Sequence, residues 1–313
     1  MSRIALLLLG LIACTAFGQS YPSKPVSFIV PFPPGGRTDL TARAVGQFLK
    51  DELGQPVVII NKSGAGGVIG AKEVAAAAPD GYTLGFFSTG FLTTQYTVPT
   101  PTDVRDYELV ALVNFDPAAI AVTAAQPWKS IAELKKAKPG SLRVGINPGS
   151  SAHIFAAAFC DAAGLDVLYV PFKGGSERAT ALAGGHIDLD FDIVAAMKSM
   201  RDAGKLRILG IAAAGPEKLY PDIATMREQG VDLVMHSWHG VFAPRGTPLP
   251  VLATLEGALQ KVARNPQFVQ AMDAQLLGVR YMNRAEFTRF FRVQDEQFRP
   301  LIEKLGLMVA PVK

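Results

Sequence analysis

A strand, a glycine bend and a helix start occupy Val26–Asp39 (VSFIVPFPPGGRTD), and this stretch most constrains the fold. The apolar run Val26–Val30 stops at Pro31, and Pro33, Pro34, Gly35 and Gly36 forbid both helix and continued strand pairing. Beyond the bend, Thr38 and Asp39 are N-cap candidates for a helix whose Leu40, Ala44, Val45, Phe48 and Leu49 keep the 3.6-residue period. A bend of this kind aims free backbone N–H groups and a positive dipole end at one point, which suits an anion. The same grammar returns once. Arg143–Ile146 reads as a strand, Asn147–Ser151 (NPGSS) as the bend, and a helix from Ala152 buries Ile154, Phe155, Ala158 and Phe159. Two anion-holding helix starts on separate halves of the chain predict two jaws on one small acidic ligand.

Strands and helices alternate along the rest, so a parallel α/β sheet is expected. Gln55–Asn61 reads as a buried strand, Ser63–Gly70 as a glycine-rich turn, and Tyr82–Phe87 as a strand ending in the Ser88–Gly90 loop. The loops at Phe32–Asp39, Ser63–Gly67 and Ser88–Gly90 all follow strands and should share one rim. Phe91–Tyr107, rich in Pro and Thr, reads as a surface excursion, and Leu109–Val113 and Ala118–Thr123 as two strands, the second entering another lobe. The unit then repeats through Leu142–Ile146, Val167–Pro171, Ile187–Phe191 and Leu206–Ala212, with Phe172–Ser176 as a further turn. The chain crosses back near Val234–Ala243, and helices Pro248–Ala263, Pro266–Leu277 and Arg284–Leu305 close it. A sheet entered, left and re-entered implies two lobes on two crossing segments. The expected division is 21–121 plus 238–313 for one lobe and 122–237 for the other.

At 313 residues the chain exceeds a typical single domain, and 49% apolar content supplies a sizeable core. The net charge of +4, with no basic stripe interleaved by aromatics, argues against nucleic acid. Arg3, the apolar run Ile4–Ala13 and the small residues Ala16 and Gly18 form an export signal over residues 1–18. That run is too short for a transmembrane helix, which needs about 20 residues. Leu11-Ile12-Ala13-Cys14 competes as a lipid-anchoring site at Cys14. Either way the protein is exported. Cys160 alone is left in the folded body, which excludes an internal disulfide and a cysteine metal site, and reads as a buried small hydrophobe.

Several motifs resemble chemistry and fall short of it. Gly64–Gly70 opens a helix after a strand, but Ile69 stands where a dinucleotide fingerprint needs glycine, and Tyr82–Phe87 carries no acid. Close helix–strand packing explains it better. Gly149-Ser150-Ser151-Ala152-His153 approaches a nucleophile elbow, with His153 in place of the final glycine. An exported serine hydrolase using Ser150 or Ser151 is therefore the enzyme alternative; ligand hydrogen bonding is the preferred role. His236 and His239 lack further metal ligands, so packing around Trp238 is expected. Asp188, Asp190 and Asp192 alternate on one strand face. A solvated edge suits Asp188, whereas Asp192 at the strand end either joins it or faces the cleft. Arg37 either clamps a carboxylate bidentately or faces solvent at the cleft mouth.

Together, YPSKPVSFIVPFPPGGRTDLTAR, LGQPVVIINKSGAGGVIGAKEVAAAAPDGYTL, INPGSSAH, YVPFKGG, LAGGHIDLDFD, AGKLRILGIAA and GVFAPRGTP resemble the Bug-type receptors of tripartite tricarboxylate transporters, from about Tyr21 onward. The resemblance implies a type II periplasmic binding-protein fold with two α/β lobes. It implies no enzymatic activity, no cofactor or metal, a small carboxylic acid as ligand, and membrane permease subunits as partners, with a monomer expected. It places the ligand between Pro34, Gly35, Gly36, Thr38 and Asp39 on one side and Ser150, Ser151 and His153 on the other, with Ser88 and Asp192 at looser positions. Arg37 stands where many relatives carry a small residue. A carboxylate sensor docking on a signalling partner would have the same site.

Overall fold

The computed structural model describes residues 21–99 and 102–309, so the export signal and Cys14 lie outside the described residues. The chain begins β1 (Val26–Val30), α1 (Arg37–Leu53), β2 (Val57–Asn61), α2 (Val68–Ala75), β3 (Thr83–Ser88) and α3 (Thr89–Thr97). A long strand, β4 (Tyr107–Thr123), leads to α4 (Ile131–Leu134), β5 (Leu142–Ile146), α5 (Ser151–Ala163), β6 (Val167–Pro171) and α6 (Gly175–Ala183). Then come β7 (Leu189–Ile193), α7 (Val194–Asp202) and β8 (Leu206–Ile211). The chain closes with β9 (His236–Pro244), α8 (Leu249–Arg264), α9 (Pro266–Ala274), β10 (Val279–Met282) and α10 (Arg284–Lys304).

In the first lobe β1 lies between β2 and β3, parallel to both. The sheet is not all parallel, because β9 enters antiparallel between β3 and β4. In the second lobe β4 pairs antiparallel with β7 and β8, and β5 links β7 to β6 in parallel. Leu109–Val113 and Ala118–Thr123 are thus one strand. Its Tyr107–Pro117 half pairs with β9 and its Ala118–Thr123 half with β7 and β8. Pro117, which has no N–H to offer a ladder, sits where the partners change. The return crossing lies at Met235–His236, where Met235 accepts from Ala118 N at 2.9 Å. Two lobes on two crossing segments result.

Three other expectations are corrected. Phe91–Tyr107 is no surface excursion: it begins with buried helix α3, in which Phe91, Leu92, Thr93 and Thr94 are at most 4% exposed. Phe91 packs with Phe87, Tyr107, Phe242 and Phe291 at ring separations of 4.9 to 6.2 Å, the aromatic centre of this lobe. The second strand, β2, lies at the sheet edge with Val58 exposed, since a short apolar run does not reveal its place in the strand order. Asp188 is buried immediately before interior strand β7, held by Arg143, so the solvated-edge reading fails. The glycine-rich Gly64–Gly70 turn does serve packing. A Cβ on Gly70 would stand 2.8 Å from the Lys62 carbonyl oxygen and 3.0 Å from Pro31 Cα.

Candidate functional site

Helices α1 and α5 begin in near-identical conformations. Gly35 and Gly149 take φ of +79° and +76°, and the caps Gly36 and Ser150 take φ, ψ of −80°, 167° and −80°, 168°. The α1 cap is therefore Gly36 rather than Thr38 or Asp39, which occupy its first turn. Neither cap side chain satisfies its helix, and the same holds for Gly174 at α6, a third helix start that the sequence reading did not count. In each helix the third residue reaches back past the cap. Asp39 Oδ2 accepts from Gly35 N at 3.0 Å, His153 Nδ1 from Gly149 N at 3.3 Å, and Glu177 Oε2 from Lys173 N at 3.0 Å. This is a capping box displaced by one residue, and it leaves the first-turn N–H groups aimed outward.

These three starts meet on a cavity of about 470 Å³ between the lobes. Gly36, Arg37 and Thr38 line it from one side and Ser150, Gly174 and Gly175 from the other, with Phe32 and Phe172 as apolar wall. Among the described residues, Ser150 Oγ is buried with no hydrogen-bond partner. A buried hydroxyl without a partner costs about 1–3 kcal/mol. The bends are also tied across the cleft. Arg37 Nη2 donates to Ser151 Oγ, so the first residues of α1 and α5 touch. Thr93 and Thr97 hydroxyls on α3 lie 3.1 and 2.7 Å from the Gly149 carbonyl oxygen.

A string of charges runs along the second lobe's wall. Arg178, 1% exposed, donates Nε to Asp190 at 2.6 Å and Nη2 to Asp192 at 2.7 Å. Asp192 Oδ1 also accepts from Arg37 Nη1 at 3.1 Å, across the cleft. Arg37 is therefore neither solvent-facing nor free. Burial works against the Arg178 charge, but Asp190 and Asp192 outweigh it and hold the guanidinium protonated. Burial, together with the like charge of Asp192, raises the Asp190 carboxyl above its ordinary range despite Arg178. Gly175 permits this approach, because a Cβ there would lie 2.8 Å from Asp192 Oδ2.

Behind Thr38 a second polar chain leads from the cavity to the crossing strand. Thr38 Oγ1 lies 3.2 Å from His239 Nε2, and His239 Nδ1 lies 2.6 Å from Asn114 Oδ1. Asn114 Nδ2 then donates to Asp116 Oδ2 at 2.7 Å, and Gly278 N to Asp116 Oδ1 at 2.6 Å. Burial pushes the Asp116 carboxyl up to about 7, against the pull of these donors. His239 is held neutral by burial, and His236 stacks on Phe115 at 4.2 Å. Among the described residues no group of His, Cys, Asp or Glu is arranged to hold a metal.

The sequence-predicted residues thus divide. Gly36, Arg37, Thr38, Ser150 and Asp192 line the cavity, and Ser151 meets Arg37 beside it. Pro34 and Gly35 are exposed on the outer side of the bend and do not line the cavity. Asp39 is occupied by Gly35, Arg43 and Asn61, which hold its carboxyl below the ordinary range despite burial. His153 is neutral, its pKa lowered by burial, and packs edge-on to Tyr169. Ser88 caps α3 by accepting from Gly90 N at 3.3 Å. Arg178 was missed. The available signal was an arginine just past the Phe172–Ser176 turn, followed by acids at alternate positions of the next strand.

Comparison with known proteins places these features in a family. The tripartite tricarboxylate transporter receptor family matches residues 41–307. BugT of Bordetella pertussis is 33% identical over 274 residues, covering 84% of both chains. The fold matches Rhodopseudomonas palustris Rpa4515, solved with adipate, at TM-score 0.88 and 28% identity, covering 93% of this chain and 100% of that one. It also matches MatC of Rhodopseudomonas palustris, solved with malate, at TM-score 0.82 and 28% identity, covering 90% and 100%. The chain belongs to the tripartite tricarboxylate transporter family of receptors, in its Bug-type branch.

Proposed function

We propose that this protein is a periplasmic receptor that captures a small organic carboxylate between its lobes and delivers it to a membrane permease of the tripartite tricarboxylate transporter type. The observation that carries this reading is the convergence of three helix starts without side-chain caps on one cavity, where Ser150 Oγ is buried and unpartnered. That Rpa4515 and MatC are solved with adipate and malate supports an organic acid. Gly36, Arg37, Thr38, Ser150 and Ser151 would contact the acid, while Asp39, His153 and Glu177 hold the bends in shape.

Hydrogen bonds to a charged group are worth about 1.5–3 kcal/mol each, and a helix start adds about 0.3–1 kcal/mol. Four or five such bonds, less the costs of ordering and closure, leave roughly 8 kcal/mol, or about micromolar affinity. Closure follows because both bends reach the ligand only when the lobes meet.

No enzymatic activity is proposed. A hydrolase needs a histidine beside its serine, but Ser151 Oγ is engaged by Arg37 and His153 Nδ1 by Gly149 N. Titration calorimetry of carboxylic acids of three to ten carbons against the purified protein tests the receptor reading. At least one should bind near micromolar, and Ser150→Ala should weaken it by about tenfold. A screen without a binder, or ester turnover lost in Ser150→Ala, would sink it.

A further inference from the structure

A carboxylate that takes N–H groups from both α1 and α5 must meet Arg37. This residue opens α1, lines the cavity, and already touches the first residue of α5 through Ser151. The other arm of the same guanidinium is bound to Asp192. Asp192 belongs to a buried cluster in which two carboxylates, Asp190 and Asp192, share the single guanidinium of Arg178. Asp190, which has Arg178 as its one ion-pair partner among the described residues, is raised above its ordinary range by burial first and by the like charge of Asp192 second. Arg37 supplies the missing charge from the opposite lobe.

An anion that draws Arg37 to itself therefore leaves Asp192 undercompensated, and a buried carboxylate in that state is costly. The cost disappears if the ligand brings its own cation to Asp192. Asp192 Oδ1 and Ser151 Oγ are bound by the two Nη atoms of one guanidinium, so a ligand cation at Asp192 and a ligand carboxylate at the α5 start fall within the span of one small molecule. We propose that Arg37 and Asp192 are the specificity-determining pair of this site, and that its ligand is a small α-amino acid zwitterion with an apolar side chain. The carboxylate is held by Arg37 and the helix starts, the ammonium by Asp192, and the side chain by Phe32 and Phe172. This rests on the receptor reading above and narrows its ligand class.

The test uses the purified protein and, for skeletons of four to eight carbons, matched sets of the 2-amino acid, the 2-hydroxy acid, the unsubstituted acid and the α,ω-dicarboxylic acid, titrated by calorimetry. The 2-amino acid should bind best in the favoured set, by about tenfold over the unsubstituted acid and the dicarboxylate, with the 2-hydroxy acid between them. Asp192→Asn should reduce the amino preference to about twofold or less. An unsubstituted acid or dicarboxylate that equals the 2-amino acid overturns this proposal and leaves the receptor reading standing. An amino preference that survives Asp192→Asn does the same. If no acid of any set binds, both fall together. The ligand series on the unaltered protein stands even if Asp192→Asn does not fold.

Discussion

The two bends at Gly35–Asp39 and Gly149–His153 have the same backbone and opposite dependencies. The first is closed within its own lobe: Asp39 accepts from Gly35, Arg43 and Asn61, two of which are its near neighbours in sequence. The second is closed by a neutral His153 from inside and by Thr93 and Thr97 of the other lobe, which reach its Gly149 carbonyl. One jaw is built before the lobes meet, and the other is completed by their meeting. A ligand that bridges the bends favours the closed state because only there does it contact both; the second bend gains its Thr93 and Thr97 contacts in that same state.

The comparison breaks most sharply at the third helical residue. Asp39→Ala removes an acceptor from three donors and should destabilise the protein by about 3 kcal/mol in denaturant unfolding. His153→Ala, losing one weak hydrogen bond and an aromatic contact, should cost about half that. Equal losses would show that the first bend is not the more strongly built.

Glycine substitutions sharpen the point. Gly35 and Gly149 share a left-handed φ, but a Cβ on Gly35 meets nothing within 4 Å, whereas one on Gly149 would lie 2.8 Å from Thr97 Oγ1 and 3.2 Å from the Thr97 carbonyl oxygen. Gly35→Ala should therefore cost about 1–2 kcal/mol, the ordinary penalty for that conformation. Gly149→Ala should exceed it by about 1 kcal/mol and weaken ligand binding as well, because α3 must move away.

Acid should separate the bends by the smallest amount. The pKa of His153 is lowered from 6.5, so its contribution is present above 6.5 and is lost as pH falls through the depressed value. The pKa of Asp39 is lowered from 3.8, so its contribution persists until pH falls below that range. Amide resonances followed downward from pH 7 should show Gly149 losing its hydrogen bond before Gly35 loses its own. Simultaneous loss would contradict the assignment of partners.

Much of this site could be read from residue order because its parts are local. Proline and glycine stop a strand and open a helix within a dozen residues, wherever the chain then goes, so the bends at Gly36 and Ser150 were expected. Helix α3 was not legible for a related reason. Its glycine and threonines are poor helix formers, and its burial on many sides leaves no amphipathic stripe to detect. Threonine hydroxyls that bond within the helix, as Thr94 does to Phe91 O at 3.1 Å, make a polar-looking run suitable for burial.

The sequence by itself determined the alternation of strand, bend and helix, the direction of the exposed N–H groups, and the family of receptors to which the chain belongs. Only the tertiary structure decided which charge each bend would face. Arg37 and Asp192 are 155 residues apart and meet only because β4 and the return at Met235–His236 fold one lobe against the other. Backbone conformation is set by neighbours along the chain, whereas the pairing of buried charges is set by neighbours in space.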